Sequence, residues 1–123
     1  MTIEMTWHGN PTTKKNSQRI VSGGKRSFIV QSQRYKDYER DCLWQIPAEA
    51  KLKLNTPCNV KCVYYRATRH RVDLCNLLAA TCDILVKAGV LADDNCTIAA
   101  THDGSHVVLG DKHPRVEIEI RGE

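Results

Sequence analysis

Arg69-His-Arg-Val-Asp-Leu-Cys-Asn-Leu-Leu78 decides how this chain is read. A basic run leads into an isolated carboxylate, Asp73, and apolar residues then recur at helical spacing for about 16 residues. On a projection at about 100° per residue, Leu74, Leu77, Leu78, Ile84, Leu85 and Ala88 fall on one side, the core face. Asn76, Asp83 and Lys87 fall beside Asp73, and Ala80 is the only other residue in that arc. Gly89 supplies a C-cap, and Val90-Leu91 then carries the chain to Asp93-Asp94. As ordinary surface chemistry, Asp73 favours the helix N-terminus and Asp83 pairs with Lys87 one turn on. As a site, the short return after Gly89 brings a carboxylate back beside the stripe or over an adjacent strand.

Towards the N-terminus, Ile3-Glu-Met-Thr-Trp7 alternates as a half-buried strand does, and His8-Gly-Asn-Pro11 stops it. Thr12 to Gln18 reads as a polar loop carrying Lys14 and Lys15. Arg19-Ile-Val21 and Ser27-Phe-Ile-Val30 flank a glycine-containing tip and read as a short hairpin with basic side chains at that tip. Ser32 is placed to cap a helix over Gln33 to Ile46 with Tyr35, Tyr38 and Cys42 inward, ended by Pro47. Cys58 to Ala67 is a long strand with Val60, Cys62 and Tyr64 on one side, and its end delivers Arg66 to Arg71. After the central helix, Thr97 to His102 and Val116 to Ile120 are strands separated by turns at Asp103-Gly-Ser and Gly110 to Pro114. The expected fold is α+β: a small mixed β-sheet packed with two main helices, in one domain spanning 1–123.

At 123 residues the chain is long enough to bury roughly two thirds of its unfolded surface in a single core. No apolar run approaches the ~20 residues of a membrane span, so no membrane role is expected. Met1-Thr-Ile-Glu-Met-Thr6 has neither the basic nor the apolar segment of a secretory signal, which makes a cytoplasmic location the expectation. None of the six cysteines lies in a Cys-x-x-Cys pair, so they read as reduced, small buried hydrophobes rather than disulfide or zinc partners. The net charge of +4 permits a polyanionic partner, and its distribution sharpens that: Lys14 to Lys36 is almost free of acids, and Arg66, Arg69, His70 and Arg71 form a second block.

Clustered carboxylates beside basic residues suit metal-dependent phosphodiester cleavage. Mg²⁺ prefers oxygen ligands and is held by one or two carboxylates plus substrate phosphate. Lysines and arginines position the nucleic-acid backbone without reading bases.

The order of motifs resembles the RusA family of Holliday junction resolvases. It runs through Gly9-Asn-Pro11 with Lys14-Lys15, Tyr35 and Tyr38, Arg69-His-Arg71, and Asp73-Leu-Cys-Asn-Leu77. It continues with Asp83, Ala88-Gly-Val90 before Asp93-Asp94, and Asp111-Lys-His-Pro-Arg115, so almost the whole chain is covered. The resemblance implies a homodimer that binds four-way DNA junctions and, with Mg²⁺ or Mn²⁺ as a substitute, makes paired symmetrical nicks in DNA recombination and repair. Carried over residue by residue, Asp73 is the first acid, Asn76 the asparagine and Asp94 the later acid, with Asp93 beside it.

The resemblance also has two departures. Cys75 stands where a second acid is usual, and Ala79 where a lysine is usual. A neutral thiol is a poor Mg²⁺ ligand, and alanine can stabilise no phosphate charge. Three explanations stay open: a metal cluster of Asp73, Asp94 and Asp83; a junction-binding protein of the same fold with little or no cleavage; or a softer metal engaging Cys75. The first is preferred. The expected catalytic residues are then Asp73, Asp94, Asp93 and Asn76, with Lys14, Lys15, Arg69 and Arg71 on the DNA.

Overall fold

The computed structural model describes residues 1–14, 18–23, 26–31 and 33–123, with side chains described for 1–14 and 33–123. Its centre is β4 (Cys58–Arg66), flanked on one side by the antiparallel strands β7 (Arg115–Gly122) and then β1 (Thr2–His8). On its other edge β4 pairs in parallel with β5 (Ala99–Thr101) near its start and β6 (His106–Leu109) near its end. The result is a mixed sheet. A separate antiparallel hairpin joins β2 (Gln18–Gly23) to β3 (Arg26–Gln31), as expected, while its tip lies outside the described residues.

The alternation of the strands fixes one core face. Trp7 stands opposite Val116, which stands opposite Tyr64; Met5, Ile118 and Cys62 form the next row, and Ile3, Ile120 and Val60 the third. Helices α1 (Gln33–Trp44) and α2 (Leu74–Lys87) cover this face. Tyr35, Tyr38 and Cys42 of α1 are buried, as their spacing predicts, and α1 stops three residues before Pro47. The capping role expected of Ser32 falls outside the described residues. A single 3-10 turn at Ala48–Ala50 leads to β4.

β4, α2 and β5 make a parallel crossover in which α2 runs back against β4 and begins beside its end. The buried hydroxyls of Tyr64 and Thr81, 2.7 Å apart, tie the helix to the strand. On α2, Leu77, Ile84 and Leu85 are buried as projected, but so are Ala80, Thr81 and Cys82. Ala80 interrupts the polar stripe, so Asn76 and Asp83 belong to two separate surfaces. The helix ends in a Schellman motif: Gly89 N–H donates to Val86 O at 3.0 Å and Val90 N–H to Leu85 O at 2.9 Å. Gly89 takes the positive φ, 82°, that the motif requires.

Two features differ from the expectation. β6 was not anticipated, because His106-Val-Val-Leu109 is a four-residue run between turns with no alternation to read. The cysteines divide: Cys42, Cys58, Cys62 and Cys82 are buried, whereas Cys75 and Cys96 are exposed, and all six are free thiols. Among the described residues no helix is long and apolar enough to cross a membrane.

Candidate active site

The chain that follows the Schellman turn is held by the 53–54 segment. Leu54 N–H donates to Val90 O at 3.0 Å and Leu54 O accepts from Ala92 N–H at 2.9 Å. This clamp sets Asp93 and Asp94 beside the last turns of α2, where Lys14, Asp83, Val86 and Lys87 complete a groove of about 410 Å³. The N-terminal loop enters from the other side, and Lys14 Nζ donates to Asp83 Oδ2 at 2.6 Å while lying 5.8 Å from the centre of the Tyr35 ring. Lys87 turns away to Glu39 of α1, its Nζ 2.9 Å from Oε1. The i,i+4 pairing of Asp83 with Lys87 is therefore replaced by two longer-range ion pairs.

The adjacent acids have different environments. Asp93 Oδ1 accepts the Asp94 N–H at 2.8 Å, and Oδ2 accepts the Asn95 side-chain amide at 3.1 Å. These bonds, the backbone one foremost, hold the Asp93 carboxyl below the usual carboxylate range. Asp94 is shifted the other way: partial burial, then the negative charge of Asp83, pushes its carboxyl above that range. Asp94 also lies near enough to Cys82 to act on it, since burial, followed by Asp94 and Asp83, pushes that thiol up to about 12. Asp93 shapes the turn, and Asp94 is the acid offered to the groove.

A carboxylate raised by partial burial and then by a second carboxylate is a place where a cation relieves repulsion. Asp83 and Asp94 supply hard oxygen donors facing one space, and the ammonium of Lys14 occupies one side of that pair. Among the described residues no three His, Cys, Asp or Glu side chains form a group able to hold an ion. A two-carboxylate donor set fits Mg²⁺ or Mn²⁺, which keep several waters and take remaining ligands from a phosphate, better than an ion that requires a full protein cage.

Asp73 occupies the other end of α2. It is the N-cap residue but makes no side-chain capping bond; its Oδ2 accepts instead from Asn76 Nδ2 at 3.2 Å. Asp83 comes ten residues later, roughly 15 Å along the axis at 1.5 Å per residue. Two ligands of one Mg²⁺ each lie only about 2.1 Å from it. The expected grouping of Asp73, Asp83 and Asp94 around one ion does not fit that spacing. Cys75 and Ala79 are both exposed on this first half of α2.

The basic residues surround the same end of the sheet. Arg69 and Arg71 are exposed in the 67–72 loop between β4 and α2. Two motifs distant in sequence brace this loop: Asn10 Oδ1 accepts the Ala67 N–H at 2.9 Å, and Gly110 N–H donates to Thr68 O at 3.0 Å. Gly9 N–H in turn donates to Pro114 O at 3.1 Å. Gly9-Asn-Pro11, the arginine loop and Asp111-Lys-His-Pro-Arg115 thus form one surface. Lys15 lies outside the described residues.

A family model described as endodeoxyribonuclease RusA matches residues 8–121. The chain belongs to the RusA family. No curated protein matches it. Membership places the protein among the endodeoxyribonucleases associated with Holliday junction resolution, and branched DNA is the substrate class of the family. The RusA match runs from the end of β1 almost to the end of β7, so it takes in the groove, the arginine loop and the turn that supports it.

Sequence reasoning had placed Lys14 on DNA and did not find its contact with Asp83, a pairing across 69 residues of chain for which no local pattern exists. It also passed over the orientation of Arg66, for which there was a signal. Cys58, Val60, Cys62 and Tyr64 point inward, so the period of two puts Arg66 on the core face as well.

Proposed function

We propose that this RusA-family protein is a divalent-metal-dependent endonuclease that resolves four-way DNA junctions by paired symmetrical nicks, acting as a homodimer in the cytoplasm. The observation that carries the reading is the convergence of Asp83, Asp94 and Lys14 in one groove, with the Asp94 carboxyl raised by burial and by Asp83.

In this reading Asp83 and Asp94 would hold Mg²⁺, with Mn²⁺ able to replace it. When bound there, the ion would supply Lewis-acid stabilisation of charge on the scissile phosphate and would activate the attacking water. Asp93 keeps Asp94 in place through its bond to the Asp94 N–H. Lys14 moves from Asp83 towards the phosphate as the ion and the DNA enter, exchanging one anionic partner for another. Lys15, Arg69 and Arg71 hold the backbone on either side. Asp73, oriented by Asn76, would keep the ligand role its motif implies, towards a separate ion at the start of α2.

Cleavage of a synthetic four-way junction in Mg²⁺, Mn²⁺ or EDTA tests this directly. Metal-dependent, symmetrical nicks that disappear in Asp94→Asn are the expected result. Tight junction binding without nicks in either metal would support a second reading, a junction-binding protein that has lost cleavage. The observation favouring that alternative is the exposed Cys75 and Ala79 at the motif's acid and lysine positions. Neither binding nor cleavage would overturn both.

A further inference from the structure

We propose that Arg115 is a positioning residue for DNA binding: it fixes the 110–114 turn on which Arg69 rests, and does not itself touch DNA. The inference rests on the reading of the protein as a DNA-cleaving enzyme and adds to it a residue that acts through another.

Arg115 begins β7 and faces Tyr65 of β4 across the ladder, on the side of the sheet opposite Tyr64 and Val116 and so away from the helices. Its Cζ lies 3.7 Å from the centre of the Tyr65 ring, the distance of a cation stacked on an aromatic face. Nε donates to Glu117 Oε2 at 3.1 Å, and Nη1 donates to Asp111 Oδ1 at 3.3 Å and to His113 O at 2.8 Å. Tyr65 Oη completes the cluster by donating to Glu117 Oε1 at 3.3 Å. Two carboxylates therefore already match the Arg115 charge, and its side chain is only 22% exposed. A phosphate would have to displace both, whereas the exposed Arg69 makes no ion pair among the described residues.

What Arg115 holds is the turn. The Asp111 oxygen that pairs with Arg115 also accepts the His113 N–H at 2.8 Å. From the turn so shaped, Asp111 N–H donates to Arg66 O at 2.9 Å and Gly110 N–H to Thr68 O at 3.0 Å, one bond on each side of Ala67. Gly110 is also the floor under Arg69. Its φ is 72°, and a Cβ there would stand 3.2 Å from Arg69 Cγ and 3.3 Å from Arg69 Nε. The bare glycine lets the arginine lie across the turn, so the direction of the Arg69 guanidinium depends on where the turn sits.

The test is a double-mutant cycle of Arg115→Met and Arg69→Met, with junction affinity read by fluorescence anisotropy across a salt series. Arg69→Met is expected to lower the slope of log affinity on log salt by about 0.9, one phosphate contact. Arg115→Met should weaken binding about fivefold in the wild-type background and less than about twofold in Arg69→Met, because both act through one contact. The double variant should keep the slope of Arg69→Met. A further fall of about 0.9 would make Arg115 a phosphate ligand in its own right and overturn the proposal, as would equal losses in the two backgrounds. If Arg115→Met does not melt cooperatively, Tyr65→Leu, which removes the ring and leaves both ion pairs, takes its place in the cycle under the same criteria. Wild-type protein that binds no junction would sink the function proposed above, and amide hydrogen exchange without DNA then decides Arg115 separately. Faster exchange at Gly110 and Asp111 in the variant, with α2 amides unchanged, sustains the positioning role; equal exchange at those two amides overturns it.

Discussion

Asp73→Asn and Asp94→Asn should have very different effects on metal binding, although the family motif treats both residues as acids of one centre. The separation follows from α2. Asp73, the N-cap of α2, and Asp83 are ten residues apart along one helix, roughly 15 Å, whereas Asp94 shares a groove with Asp83 and has its carboxyl raised by burial and then by Asp83. A charge at 15 Å from a divalent ion contributes about 0.6 kcal/mol in water before screening, and about 0.1 kcal/mol at physiological ionic strength. Removing the Asp73 charge should therefore change the groove's ion affinity by less than about 1.3-fold. Removing Asp94 takes away one of two carboxylate ligands and should weaken binding at least about tenfold. The assay is Mn²⁺ titration of DNA-free protein, followed by the paramagnetic signal of the free ion and repeated by calorimetry with Mg²⁺. A loss in Asp73→Asn as large as that in Asp94→Asn would refute the argument, because the three acids would then serve one ion despite the length of helix between them.

Other perturbations test neighbouring parts of the site. Lys14→Met should strengthen Mn²⁺ binding to DNA-free protein and weaken junction binding, since Lys14 competes for Asp83; the two side chains are 35% and 41% exposed, so unfolding free energy should change by no more than ~1 kcal/mol. Asp94 binds its proton more tightly folded than unfolded, so stability should fall as pH rises from the ordinary carboxylate pKa through the raised Asp94 value, a loss absent in Asp94→Asn melting curves. Mn²⁺ affinity should rise with pH through the same window, because the ion displaces that proton. Gly110→Ala should destabilise by about 1–2 kcal/mol in denaturant titration and weaken junction binding, since φ is 72° and the new Cβ would meet Arg69 Cγ at 3.2 Å. Cys75→Asp restores the motif's second acid beside Asp73; cleavage should change less than about tenfold if the ion at Asp83 and Asp94 drives the reaction. A much larger gain would move the catalytic ion to the start of α2.

The sequence carried the fold where periodicity was long. The inward faces of β1, β4 and β7, the Tyr35-Tyr38-Cys42 face of α1 and the Gly89 cap all follow from spacings of two, three or four residues combined with a turn residue. β6 was not legible because four residues between turns owe their strand geometry to the edge of β4, which is a tertiary fact. Ala80 shows the same limit within a helix. Its position on the wheel is polar by association with Asp73 and Asp83, yet its burial depends on what packs over α2.

The site was legible as an inventory and not as an arrangement. The aspartates, lysines and arginines could be named from composition and from the motif order, but a motif compresses residues into one list and does not carry distance. Asp73 and Asp94 enter the family pattern as equals; a helix of known rise puts Asp73 far from the groove, and a Schellman turn with a clamp at Leu54 puts Asp94 in it. The ion pairs follow the same logic. Lys87 was read against its neighbour four residues away, whereas it reaches Glu39, because α1 crosses beside α2 and offers a carboxylate there. Asp83 is thereby left to Lys14. A cation supplied from a loop can be displaced by substrate more readily than one fixed on the same helix, since the loop lysine is not bound to Asp83 by helical geometry. On the function proposed above, Lys14 is therefore the partner suited to give way to a metal ion and a phosphate at this groove.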